Sequence, residues 1–323
     1  MNAPVALPEP MRQWLEHLAT QRRYANNTVS AYERDLQQLV ELANGIAPEN
    51  IADRHIRQFL GKLHAQGHQP RSLARMLSAW RGFYAWWAPK TGLLLNPTQD
   101  VKPPKASRSL PKALSVDQTQ ALLDCSALAA SREPLTLRDR AMFELFYSSG
   151  LRLSELVSLD VTYCKAWGYE STSWLDAAQG EVHVLGKGSK RRTVPVGAQA
   201  LQALEQWQQV REQFIKSNNN ITDRFALFVG ERGKRIHRRV IQQRLADLAL
   251  AAGMPTRVHP HVLRHSFASH VLQSAQDLRA VQEMLGHASI STTQVYTKLD
   301  FQHLASVYDA AHPRANRKSP SKS

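Results

Sequence analysis

No helix or strand can run unbroken through residues 96–111. The stretch NPTQDVKPPKASRSLP holds four prolines, each without a backbone N–H, and shows no apolar period. Lys102, Lys105 and Arg108 follow Asp100 with no further acid among them. A semi-stiff basic linker is therefore expected here, dividing the chain into an N-terminal domain at 1–95 and a larger domain at 112–312. A basic tail at 313–323 is expected to be disordered by its composition. With 323 residues, 43% of them hydrophobic, the chain is long enough for two real cores.

Upstream of the linker, apolar residues recur at helical spacing. Trp14, Leu15 and Leu18 share one side of a helix at 11–22. Val29, Tyr32, Leu36, Leu39 and Val40 do the same at 28–42, with Asn26 or Asn27 as the cap. A third helix is expected at 53–65, stopping at Gly67, and a fourth at 71–88, broken by Pro89 and Gly92. The fourth carries Trp80, Phe83, Tyr84 and Trp87, which at helical spacing read as core rather than as a base-stacking platform. Arg71, Arg75 and Arg81 on the same helix are candidates for phosphate contact, and a solvated basic face is the alternative.

Past the linker, helices at 115–130 and 135–149 lead to Gly150 and a sharp turn before Arg152. Ser154 and Glu155 open a short helix, so Arg152 stands where a guanidinium and unpaired backbone N–H groups can meet one phosphate. A structural salt bridge to Glu155 is the competing reading. Alternation about Gly186-Lys187-Gly188 reads as a β-hairpin at 181–196, with Lys187 at its tip and Lys190, Arg191 and Arg192 close behind. A helix at 198–215 and a short strand at 226–229 follow. The next helix has Val240, Ile241, Leu245 and Leu248 as its apolar stripe, with Lys234, Arg235, Arg238, Arg239, Gln242 and Gln243 near its start. Arg and Gln pair with guanine and adenine edges, which makes this helix a candidate for the major groove; phosphate contact alone is the other reading.

Residues 259–299 gather four more groups able to grip or attack a phosphate. His261 and Arg264 are three apart on a helix that Pro260 can start. Gly286 ends a second helix and presents His287 just beyond it. Ser291, Thr292 and Thr293 can cap a third, which holds Tyr296. Phe301, Leu304, Ala305, Val307 and Tyr308 then form the apolar face of a helix at 301–311.

Charge narrows the partner without settling the function. Lys and Arg number 41 against 27 Asp and Glu, a formal +14, which points to a polyanion, nucleic acid first. Enzymes and structural binders share that balance. Cys125 and Cys164 lack metal or redox spacing and read as reduced thiols of a cytoplasmic protein. The N-terminus has no secretory pattern, and no apolar run approaches the ~18 residues of a membrane span. His261 and His265 are spaced for zinc, but the glutamate of a zinc-protease helix is missing, so no metal and no cofactor are expected.

The order H-x-x-R, L-G-H and a tyrosine, preceded by SSGLRLSEL and VLGKGSKRRTVPV, resembles the catalytic boxes of the tyrosine recombinases, the lambda-integrase family. All six positions are filled, by Arg152, Lys187, His261, Arg264, His287 and Tyr296. The resemblance implies a mainly α fold with a small β-sheet: an N-terminal helical, SAM-like core-binding domain and an α+β catalytic domain, strapped together around double-stranded DNA. It further implies that Tyr296 attacks the phosphodiester and forms a 3′-phosphotyrosyl link, while Arg152 and Arg264 clamp the non-bridging oxygens. His287 adds a hydrogen bond, His261 assists proton transfer, and Lys187 protonates the leaving 5′ oxygen. Lys102, Lys105, Lys190 and Arg191 would touch DNA. For the branch it most resembles, the likeness implies a paralogous recombinase as partner in a heterotetramer at a short paired site. Chromosome dimers would be resolved at cell division, with a septal DNA translocase as a further partner to test. Arg152 and Lys187 lie about ten positions farther apart than in the family, an excess assigned to a surface-loop insertion at 162–174. A topoisomerase of type IB and a DNA-binding protein without catalysis are the rival readings.

Overall fold

The computed structural model describes residues 6–93, 96–105, 113–129, 132–186, 191–216, 219–255, 258–274, 307–308 and 310–315. These fall into two compact units, one within Met1–Ser109 and the other within Leu110–Ser323.

The first unit is helical: α1 (Glu9–Thr20), α2 (Asn26–Ala43), α3 (Asp53–Ala65) and α4 (Pro70–Thr91). Trp80, Phe83, Tyr84 and Trp87 of α4 are buried. The indole N–H of Trp80 donates to the Asp35 carbonyl at 2.7 Å and the Tyr84 hydroxyl to the Pro48 carbonyl at 2.9 Å, so neither ring leaves a polar group unsatisfied. The asparagines do not cap α2, which already begins at Asn26 with Ala25 flanking it. Nor does Pro89 stop α4, which continues to Thr91 and ends at Gly92 in the left-handed region.

The proline-rich stretch is less free than its composition suggests. The Asn96 side chain accepts from the Thr98 amide at 2.9 Å and hydroxyl at 2.6 Å, turning the chain back on itself. Thr98 and Val101 are buried, and their carbonyls accept from Arg81. The start of the expected linker is thus part of the first unit, and Arg81 serves it internally. Lys102 and Lys105 follow on the surface.

The second unit contains α5 (Val116–Leu123), α6 (Ser126–Ala129), α7 (Pro134–Ser149), α8 (Leu153–Ser158), β1 (Leu159–Asp160), β2 (Lys165–Ala166), β3 (Tyr169–Glu170), β4 (Ser173–Asp176), β5 (Glu181–Leu185), β6 (Arg191–Pro195), α9 (Ala198–Arg211), α10 (Ile221–Phe225), α11 (Arg238–Ala251) and α12 (Pro260–Ser274). The helix expected at 115–130 is two helices, because the chain turns at Asp124 and Cys125. Helix α7 is buried almost all round and packs against α9 and α12. The sheet runs β1-β4-β5-β6, parallel only between β1 and β4. Among the described residues no helix is long and apolar enough to cross a membrane.

Two segments are more ordered than expected. The insertion forms the antiparallel pair β2–β3, turned through Trp167 and Gly168 at φ +51° and +76°. Tyr169 anchors it, donating to the buried Asp160 carboxylate at 2.6 Å and stacking on Phe225, while Trp167 stands 83% exposed at the tip. The start of the supposed tail is also buried. Arg314 is held by Glu144 and Asp124, the Ala315 carbonyl accepts from the Ala198 amide, and the Tyr308 hydroxyl lies 2.7 Å from that of Ser148. A disordered segment beginning at 313 is therefore corrected: packing within the chain extends through Ala315.

Candidate active site

The site is built outward from Gly150, which ends α7 with φ +53°. A side chain there would have its Cβ 2.2 Å from the Phe267 ring, so only glycine lets the end of α7 lie against α12. Two consequences converge. The turn delivers Arg152 to the N-terminus of α8, and the Gly150 carbonyl accepts a hydrogen bond from Arg264 of α12, which lies 114 positions away in sequence. Arg152 and Arg264 are thereby brought together by one glycine.

Glu155 organises the first of them. Its carboxylate accepts from the Arg152 backbone N–H at 2.7 Å and from one Arg152 guanidinium nitrogen at 2.8 Å. The expected alternative of a salt bridge is therefore present, and it orients Arg152 while leaving it 32% exposed. A second cation reaches the same carboxylate: Arg192 of β6 grips both oxygens, at 2.8 and 2.9 Å. Burial works hardest against ionisation of Glu155, but the hydrogen bonds and charge of Arg192 and Arg152 together outweigh it and hold the carboxyl below its ordinary range. Arg264 is also lowered, to about 10, by burial first and then by the nearby charge of Arg152, with Glu155 opposing and Arg192 adding to the fall. Three guanidiniums thus surround one carboxylate, an excess of positive charge in a partly dehydrated corner. That is the electrostatics of an anion site, and a phosphodiester matches it in charge and in hydrogen-bond acceptors.

His261 lies one turn before Arg264 on α12 and is exposed. His270, farther along the same helix, is buried between the Tyr147 hydroxyl and the Leu114 carbonyl and has a structural role. Arg191 is exposed at the start of β6, with its guanidinium 5.5 Å from the Trp174 ring centre. Lys187, Lys190, His287 and Tyr296 lie outside the described residues.

The DNA-contact candidates divide. Arg71 is exposed on α4, and Arg238, Arg239 and Gln242 are exposed over the first turns of α11. Val240, expected in the apolar stripe of α11, is exposed with them. Arg75 bonds to the buried Asp35 carboxylate and the Ala31 carbonyl, although 44% of its side chain stays exposed. Arg235 is a correction. Its guanidinium donates to the Val157, Leu159 and Thr222 carbonyls and to the fully buried Asp160 carboxylate at 2.6 Å, so it neutralises an internal charge instead of facing a groove.

Arg192 and the shared role of Glu155 escaped the sequence reading, although a signal existed. In the hairpin register Val182 faces Val194 and Val184 faces Arg192, which puts an arginine on the apolar side of the sheet. Such a residue needs a buried carboxylate.

Comparison with known proteins gives concordant matches. Residues 112–303 match the phage integrase family, and residues 11–90 match the phage integrase N-terminal SAM-like domain. The chain is 52% identical over 317 residues to the tyrosine recombinase XerC of Ralstonia pickettii, covering 96% of each. It is 47% identical over 308 residues to that of Pseudomonas aeruginosa, covering 94% of this chain and 95% of the relative. Among solved structures, the fold is similar to the Tn1549 transposon integrase in complex with transposon right-end DNA (TM-score 0.67, 15% identity, covering 91% of this chain and 97% of that one). It is also similar to the XerH site-specific recombinase bound to a palindromic difH substrate (TM-score 0.61, 20% identity, covering 93% and 84%).

Proposed function

Because the chain belongs to the phage integrase family of tyrosine recombinases and is a site-specific DNA recombinase resembling XerC, we propose that it works with a XerD-like partner in a heterotetramer to resolve chromosome dimers at a short paired site during segregation. Tyr296 is the nucleophile in this reading. Its hydroxyl oxygen bonds to phosphorus as the 5′ oxygen leaves with a proton from Lys187, and the 3′-phosphotyrosyl ester keeps the bond energy for a second strand's 5′ hydroxyl. A tyrosine hydroxyl, with an ordinary pKa of about 10, is a poor nucleophile at neutral pH, so positioning and charge stabilisation must carry the step. His261 and His287 assist with a proton and a hydrogen bond.

The observation that supports this reading best is the meeting of Arg152 and Arg264 around Gly150 and Glu155. Two guanidiniums fixed to one turn can hold the non-bridging oxygens as charge builds on them. Exposed Arg71, Lys102 and Lys105 of the first unit and Arg191, Arg238, Arg239 and Gln242 of the second supply DNA contacts. Action in the cytoplasm, and regulation by a septal translocase, belong to the same proposal.

The test uses a duplex recovered by selection from a random-sequence pool and nicked beside the scissile phosphate. The wild type forms a covalent adduct on a denaturing gel in excess EDTA, whereas Tyr296→Phe binds the duplex and forms none. An adduct mapped to Tyr163, Tyr169 or Tyr308 would sink the assignment. The partner is tested separately: a XerD-like recombinase should bind the second half-site cooperatively, and independent binding would remove the heterotetramer.

A further inference from the structure

We propose that Arg192 is a positioning residue that occupies both oxygens of Glu155 so that this carboxylate orients Arg152 without capturing it. The inference rests on the reading of the Arg152 corner as the phosphate site. Glu155 is 3% exposed and Arg192 7%, and they pair fork to fork at 2.8 and 2.9 Å. Arg152 meets the same carboxylate through its backbone N–H and through a single guanidinium nitrogen.

The geometry has a definite chemical consequence. A buried carboxylate draws to itself whatever cations can reach it, and a lone arginine beside one settles into the two-pronged arrangement. In this protein that arrangement is taken by Arg192, which comes from a different element, β6, and is itself buried. Arg152 is left as the one-pronged partner and stays 32% exposed, close enough to Arg264 for their charges to oppose each other. Without Arg192, Glu155 would turn Arg152 inward as its replacement, and the guanidinium would leave the phosphate. The pair has a second effect. Arg192 pairs with Val184, one pair in from the Leu185–Arg191 end of the β5–β6 ladder, so the ion pair fastens that end of the ladder to the turn bearing Arg152.

The experiment is adduct formation on the nicked duplex by the full-length chain, with duplex affinity measured in parallel. Arg192→Met is expected to bind DNA within about twofold of wild type and to cleave about 10²-fold more slowly, the size of loss seen when one transition-state donor is removed. Adding Glu155→Gln to Arg192→Met removes the charge that captures Arg152, and the double variant is expected to regain about tenfold of the lost rate. A merely structural ion pair also gives recovery in the double variant, since stranding Glu155 alone is what destabilises the fold, but cleavage then follows each variant's melting temperature. A rate loss in Arg192→Met that persists well below its Tm with DNA affinity kept is the positioning signature, and a rate that simply follows Tm overturns the proposal. Should Arg192→Met fail to fold, Arg192→Lys keeps the buried charge but only a point contact. It is expected to cleave about tenfold more slowly than wild type, with the loss relieved by Glu155→Gln. Wild-type cleavage by Arg192→Lys or Arg192→Met, or a double variant no better than the single, overturns the proposal. Failure of the wild type itself to form an adduct refutes the active-site reading instead.

Discussion

Replacing Arg314 by alanine is expected to destabilise the catalytic unit as a whole. Arg314 is 6% exposed and donates to Glu144, itself 3% exposed, through Nε at 3.0 Å and through Nη2. It also reaches Asp124 at 2.9 and 3.1 Å, but that carboxylate is 59% exposed and contributes only about 0–1 kcal/mol. The loss therefore falls on Glu144, left as a buried charge without its closest cation, at a cost of about 3–5 kcal/mol. In a unit of this size each kcal/mol lowers Tm by about 2–4 °C, which gives a drop of about 6–20 °C. Burial already raises the Glu144 pKa above its ordinary value despite Arg314, so in the variant the carboxyl takes up a proton more readily and the deficit narrows as pH falls. Thermal melting of wild type, Arg314→Ala and Asp124→Asn at neutral and mildly acidic pH tests the argument. A drop below about 4 °C for Arg314→Ala, or an equal drop for Asp124→Asn, would refute it. The same contacts bear on the C-terminal segment as a whole. Since residues 307–308 and 310–315 pack on their own chain, ending the chain at Leu299 should lower the melting temperature as well as disturb any coupling to a partner.

Gly150→Ala should abolish adduct formation and lower Tm, because the left-handed backbone costs about 1–2 kcal/mol and the new methyl drives Phe267, and with it the helix bearing Arg264, away from Arg152. Unchanged cleavage would show that the two arginines need not meet at this turn. Arg235→Leu should cost about 3–5 kcal/mol by stranding buried Asp160, whereas Arg238→Ala and Gln242→Ala should weaken DNA binding with Tm nearly unchanged. Melting and gel-shift titrations in which these effects are interchanged would reverse the assignments. Burial depresses the His312 pKa to about 3, so below the ordinary histidine value the unfolded chain takes up a proton that the folded one refuses. The stabilisation is complete above that ordinary value and falls by about 1.4 kcal/mol per pH unit as pH drops toward 3. His312→Phe should flatten the dependence of stability on pH between about 6 and 4, and an unchanged slope would contradict the buried neutral imidazole.

What the sequence revealed and what it hid follow from the range of the forces involved. Helix placement depends on a local period and on stop signals, so α3, α4 and α7 could be read from their own residues, and the aromatic stripe of α4 identified its core face. Arg152 and Arg264 were legible as a pair through motif order, but their meeting depends on the absence of a Cβ at Gly150, visible only once Phe267 is in place. Composition misjudged the segments where a few specific contacts outweigh it. A tail that counts as basic and polar is fixed by one arginine finding Glu144, and an insertion that counts as loop is fixed by Tyr169 finding Asp160. Arginines misled most, because charge counting treats each as surface. Arg192, Arg235 and Arg314 instead lie inside, each against a buried carboxylate. Each such pair removes one base and one acid from the surface together. The net charge of +14 is therefore unchanged, but it is carried by an outer shell with fewer carboxylates among its cations, and a DNA backbone meets a more uniformly positive surface than the composition implies.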